Sequence, residues 1–370
     1  MPTRILKKDE LSPAHKKRQE LVRLETDRSV LDETLKGCVR VGIVGCGYWG
    51  PNLIRNFHGL ADATVASICD LEESRLRSFS RKFPGVRLTT KYQDILKDPT
   101  IDAVVIATPI STHYHLAHQA LKAGKHVLVE KPLTATVREG SALVRLAQTV
   151  HKTLMVGHTF EYNPAVLKIA DLLKSGEMGE LFYIDSVRVN LGLYQSDGLN
   201  VIWDLAPHDI SIILRWVGKL PRYVSAWGQS YLRKNVEDVA FIRLEFPDGV
   251  MAHMHLSWLA PAKMRRMAIV CNKRMAIYDD LESLEKIKIA DQGAHIDLHA
   301  RETKVGYRLG DIVSPRLDVD EPLARECAHF VDCILHQRTP ETDGMKGLQV
   351  VRVLEAAYQS LKKGGTRISL

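Results

Sequence analysis

The sequence predicts an α/β fold: a doubly wound parallel sheet first, then an α+β half with a large, open-faced, mostly antiparallel sheet. Three observations carry that prediction. In the first half apolar strands recur about every 25–30 residues with helical patterns between them. A glycine-rich turn joins the first strand to the first helix. After His158 this rhythm stops and alternating strands dominate.

The elements follow in order. From Val39 the chain reads "VRVGIVGCGYWGPNLIRNF", a short strand running into Gly45, Gly47 and Gly50 and then a helical pattern. A G-x-G-x-x-G motif in that context marks a Rossmann dinucleotide site. The first glycine permits the turn, the second lets a pyrophosphate approach, and the third lets the helix pack closely. The strand "ATVASICD" ends at Asp70, about twenty residues past the last glycine, where a carboxylate accepts the ribose hydroxyls and disfavours a 2′-phosphate. NAD is therefore the expected cofactor, although Asp70 also reads as the N-cap of the next helix. Next come "DAVVIATP", ending at Thr108 and Pro109, then "HVLVEKP", ending at Glu130 and Lys131, and "KTLMVGH", ending at His158. Ligands gather at the carboxyl ends of such strands, so Thr108, Glu130, Lys131 and His158 are expected along one rim with the cofactor.

The second half holds a helix after "TFEYNP", an alternating strand, and a helix, "VIWDLAPHD", that spaces Asp204 and His208 i, i+4. That spacing puts carboxylate and imidazole on one helix face, where the pair can move a proton. A structural histidine with Asp204 as helix cap is the competing reading. Strands follow through "YVSAWGQSY", "DVAFIRLEF", "GVMAHMHLSWL", "RRMAIVCN" and "RMAIYDD", and "GLQVVRVLEAAYQSLKKG" makes the final helix. His253 and His255 read as surface or packing residues, as do His113, His115 and His118 as a group.

At 370 residues the chain fits two domains. We expect an N-terminal helical arm over 1–36, a Rossmann domain over 37–158 and a substrate and oligomerisation domain over 159–370, whose last helix can pack back on the first. With 45% hydrophobic and 26% charged residues the composition is that of a soluble globular protein. No run approaches the ~18 apolar residues of a membrane helix, and residues 1–36 lack a secretory signal's apolar core. The net charge of +7 comes with no nucleic-acid motif, and anionic small ligands suit it equally. Six cysteines without metal-ligand spacing suggest a reducing cytoplasm and no metal site.

The glycine turn, "ATP" at the third strand, "EKP" at the fourth and the Asp204/His208 helix together resemble the Gfo/Idh/MocA oxidoreductases from about Val39 to the end. That resemblance implies that Lys131 lies beside the nicotinamide and bonds the reacting oxygen, with Pro132 after a cis bond that aims it. It makes His208 the candidate for proton transfer, with Asp204 contacting substrate or orienting the imidazole. It places Tyr162, Asn163 and Arg188 near the substrate. Tyr48, Trp49, Thr108, Pro109, His113 and Glu130 join the glycines and Asp70 as candidate cofactor contacts. The second sheet is implied to form the interface of a homodimer or homotetramer. The second half resembles the branch that oxidises nucleotide-linked sugars, at C3 of UDP-N-acetylglucosamine or a uronic-acid relative, with Arg188 or Arg308 meeting the diphosphate. Three alternatives stay open: a dehydrogenase or ketoreductase on a free sugar, cyclitol or sugar phosphate; an NADPH-linked 3-ketoreductase; and a non-catalytic NAD sensor.

Overall fold

The computed structural model describes residues 37–192, 199–297 and 304–370, so the expected arm at 1–36 lies outside the described residues. The first half runs β1 (Val39–Val44), α1 (Gly50–His58), β2 (Ala63–Cys69), α2 (Glu73–Lys82), β3 (Arg87–Thr89), α3 (Tyr92–Lys97), β4 (Ala103–Ile106), α4 (Ile110–Lys122), β5 (His126–Glu130), α5 (Val137–Thr149) and β6 (Leu154–Gly157). These strands form a parallel sheet of order β3-β2-β1-β4-β5-β6. Helices cover both faces, which is why β4 is four fully buried aliphatics in a row. The order reverses between β1 and β4, and there the carboxyl ends open a crevice for a ligand. The three-residue β3 is too short and too exposed to announce itself as a strand.

A single 3-10 turn, Thr159–Tyr162, leads into α6 (Pro164–Lys174), β7 (Leu181–Leu191), α7 (Val201–Val217), β8 (Tyr223–Gln229), β9 (Val239–Glu245), β10 (Met251–Ser257), β11 (Leu259–Cys271), β12 (Met275–Asp279), β13 (Ile287–Asp297), β14 (Lys304–Val313), α8 (Pro322–Leu335), α9 (Gly344–Lys362) and β15 (Ile368–Ser369). Among the described residues the second sheet has the order β14-β13-β12-β11-β7-β10-β9-β8-β15, with β7 and β10 its parallel pair. Its strands obey period-2 patterning. On β9, Ala240, Ile242 and Leu244 are buried, while Phe241 faces out. Helix α7 packs on β7, β9 and β10, and α9 on β8, leaving the opposite face open.

The last two helices do not stay with the second sheet. Leu323, Cys327, Phe330 and Val331 of α8 join the core around β1 and α1. Helix α9 touches α5 and β6 as well as α7. Together they brace the two sheets across the crevice. The described cysteines are all free, and no described helix is long and apolar enough to cross a membrane.

Candidate active site

The glycine turn fits a dinucleotide. Gly45 sits at φ +97°, and a Cβ there would meet the Ala107 carbonyl oxygen at 2.5 Å. A Cβ on Gly50 would collide with the Gly45 carbonyl oxygen, so glycine lets α1 start tight beneath the turn. At Gly47 a Cβ would meet no atom within 4 Å, leaving the backbone open to an approaching phosphate at the head of α1. Asp70 closes the turn from β2: its Oδ2 accepts the Cys46 N–H at 2.7 Å and its Oδ1 the Glu72 N–H at 2.9 Å. It is not the expected helix cap, because α2 starts three residues later behind Glu72. Tyr48 and Trp49 stand exposed on the turn, edge to face at 5.7 Å.

Two further turns line the crevice. Thr108 shares a 2.6 Å hydroxyl hydrogen bond with Thr112, and Pro109 caps α4. His113 ties this turn to the next one, with Nδ1 at 2.9 Å from the Pro132 carbonyl and Nε2 at 2.8 Å from the Thr108 carbonyl. It is buried with a carbonyl oxygen against each ring nitrogen, which is the packing role rather than the surface one of its two expected readings. Glu130 is likewise turned inward, accepting the Lys131 N–H at 3.2 Å, and burial pushes its pKa up to about 7.

The Lys131–Pro132 bond is cis. The Lys131 side chain, 14% exposed, crosses from the first sheet to α7. Its Nζ donates to the Asp204 carbonyl at 3.0 Å and lies 4.0 Å from Asp204 Oδ1. Pro207 lies inside this helix and, having no N–H, leaves the Trp203 carbonyl next to the lysine's docking point without its helical donor. Burial lowers the Lys131 pKa below the ordinary lysine value, against the opposing pull of Asp204 and Glu130.

His208 reaches the same place from α7, but not as the i, i+4 spacing implied. Asp204 Oδ2 accepts the Trp258 indole N–H at 3.0 Å, and no hydrogen bond among the described residues joins it to His208. Lys131 and Trp258 engage Asp204 instead, so it orients the lysine rather than the imidazole. The helix cap is Asn200, whose side chain accepts the Trp203 N–H. His208 packs edge-on to Phe160 at 4.8 Å. Burial, then repulsion by Lys131 and Arg188, holds its pKa well below the usual histidine value, so it is neutral.

The remaining candidates divide. Arg188 faces the site with its guanidinium 4.7 Å over Phe160, yet it is committed to buried Asp209, at 2.7 Å from Nε and 2.6 Å from Nη2. Asn163 caps α6 through the Ala165 N–H and donates to Tyr278 and Asp280. Tyr162 does not join the cluster: its ring lies in the core with Phe330 and its hydroxyl bonds Thr342 at 3.0 Å. Arg308 sits on the edge strand β14, paired with Asp291 and the Lys273 carbonyl. His329, Asp332 and Cys333 gather on α8, but the first accepts the Glu341 N–H and the second holds Arg338. Sequence reasoning passed over Phe160, Trp258 and Arg265. Phe160 had a signal in its place just after β6; the other two had none, because only long-range pairing brings them in.

Residues 39–158 match the family model described as "Oxidoreductase family, NAD-binding Rossmann fold", and residues 166–277 match "GFO/IDH/MocA C-terminal domain". UDP-N-acetylglucosamine 3-dehydrogenase of Acidithiobacillus ferrooxidans is 29% identical over 329 residues, covering 87% of this chain and 96% of the relative. Its solved structure superposes with a TM-score of 0.74 at 26% identity, covering 88% and 97% of the two chains. The scyllo-inositol 2-dehydrogenase (NADP(+)) IolW of Bacillus subtilis is 29% identical over 349 residues, covering 89% and 95%. WlbA dehydrogenase of Bordetella pertussis, solved with NADH and UDP-GlcNAcA, shares the fold at 22% identity and a TM-score of 0.74 over 90% and 99% of the chains.

Proposed function

Because the chain belongs to the Gfo/Idh/MocA family of NAD-binding oxidoreductases, we propose that it oxidises a ring secondary hydroxyl, at C3, of a nucleotide-linked sugar such as UDP-N-acetylglucosamine or its uronic acid. The observation that carries this reading is the meeting of Lys131, Asp204 and His208 at the rim beside the glycine turn. Bound NAD supplies the hydride acceptor. As the alcohol becomes a ketone its hydroxyl proton must leave, and two groups could take it. A base works best with a pKa near the working pH. Burial moves Lys131 toward that range and moves His208 away from it, so Lys131 is the proton acceptor in this account. Asp204 then steadies the ammonium that forms, and neutral His208 donates a hydrogen bond to the substrate oxygen.

Arg265 supports an anionic substrate. Its charge bears on both Lys131 and His208, and it keeps 33% of its side chain exposed beside Asp280. The inositol dehydrogenase relative supports a second reading, a cyclitol substrate. A panel of UDP- and dTDP-sugars with inositols, followed by NADH absorbance, separates the two. Turnover confined to UDP-sugars is the expected result, and turnover confined to inositols sinks the substrate assignment. In this reading residues 37–158 hold the cofactor and 159–370 the substrate. The open sheet face, with Phe241 and Met251 exposed, seats a second copy, so sedimentation should give a dimer or tetramer; a monomer would oppose this.

A further inference from the structure

We propose that His158 is a substrate-binding residue of this site, hydrogen-bonding a sugar hydroxyl adjacent to the one that is oxidised. The inference rests on the function proposed above and adds a residue to it. Glu130 and Gly157 are register partners on parallel β5 and β6, so Lys131 and His158 leave the sheet side by side. The backbone of His158 is fully used. Its N–H donates to the Val156 carbonyl at 2.8 Å and its carbonyl accepts the Glu161 N–H at 2.9 Å. Only the imidazole is unspent. It is 1% exposed, and neither ring nitrogen has a hydrogen-bond partner among the described residues.

A buried imidazole with no partner costs stability, and native proteins keep few such groups without a use for them. The position of His158 says what that use is. The charge of Lys131 bears on it, and His158 in turn bears on His208 of α7. The ring therefore lies near both the strand-borne lysine, beside which the β5/β6 register sets it, and the helix-borne imidazole. Burial and Lys131 lower its pKa to about 3, so it is a neutral imidazole with one N–H donor and one lone pair. A ring hydroxyl both donates and accepts, and can use either nitrogen. A carboxamide could do the same, so the test must distinguish sugar from nicotinamide.

Calorimetry on the full-length protein makes that distinction without turnover. NADH is titrated into wild type, His158→Leu and His158→Gln, and UDP-N-acetylglucosamine is then titrated into each NADH complex. The inference predicts NADH affinity within about twofold in all three. It predicts sugar affinity weakened about tenfold in His158→Leu and within about threefold of wild type in His158→Gln, whose amide keeps a donor and an acceptor. Unchanged sugar affinity in His158→Leu overturns the inference and leaves the proposed function standing. Weakened NADH binding with unchanged sugar affinity overturns it by placing the ring on the cofactor. Wild type that binds NADH but not the sugar overturns the proposed function, and this inference with it. Should His158→Leu fail to fold, ¹⁵N spectra of the wild-type imidazoles decide: the His158 resonances shift on adding sugar to the NADH complex, or the inference is wrong.

Discussion

Lys131→Ala should lower kcat/KM for sugar oxidation by about 10³- to 10⁴-fold while leaving NADH affinity within about threefold, because it removes a proton acceptor and the charge that stabilises the developing oxyanion. The pH profile tells the two candidate bases apart. His208 is held well below the usual histidine range and is already neutral above about pH 6.5. Lys131 is held below the ordinary lysine value of 10.5 but must still lose a proton to act. Oxidation should therefore rise with pH along a limb lying below the ordinary lysine value of 10.5. The limb should disappear from whatever residual rate Lys131→Ala retains. A limb that survives the substitution would assign the proton to another group.

The second large effect is on stability. Arg188 and Asp209 are 5% and 1% exposed, and Asp209 also accepts the Ser186 hydroxyl at 2.7 Å. Asp209→Ala leaves a buried guanidinium and a hydroxyl without their acceptor, which should destabilise the protein by about 3–5 kcal/mol. Replacing both partners with apolar residues, Arg188→Met with Asp209→Leu, should recover most of that loss, since it removes the stranded charge. Urea unfolding of the three forms is the measurement. A single variant as stable as wild type would mean the pair is not buried as described. The double variant should still lose activity, because Arg188 and His208 both pack against Phe160.

What could be read from sequence was what short-range rules determine. The glycine turn, Asp70 and Lys131 are placed by the strand and turn they occupy, and period-2 alternation marked β7 to β12. Where several distant groups compete, local spacing misleads. Asp204 and His208 share a helix face, but Trp258 and Lys131, 54 and 73 residues from Asp204 along the chain, engage its carboxylate and carbonyl. Tyr162 follows a strand end and looks like a pocket residue, yet Thr342, 180 residues away, holds its hydroxyl in the core. Strands β13 and β14 lie at the sheet edge, where charged residues such as Asp291 and Arg308 blur the alternation. The return of α8 onto the first sheet was illegible, because an apolar helix face does not say which core it completes.

The central claim is that a ring C–H of the sugar gives its hydride to NAD at the Lys131 rim. Purified protein with NAD and UDP-N-acetylglucosamine deuterated at C3 tests it directly, by mass spectrometry of the reduced cofactor. The account predicts cofactor one mass unit heavier than that formed from unlabelled sugar. Reduced cofactor carrying no deuterium would contradict oxidation at C3, and no reduced cofactor in protein shown to bind both ligands would contradict the chemistry itself.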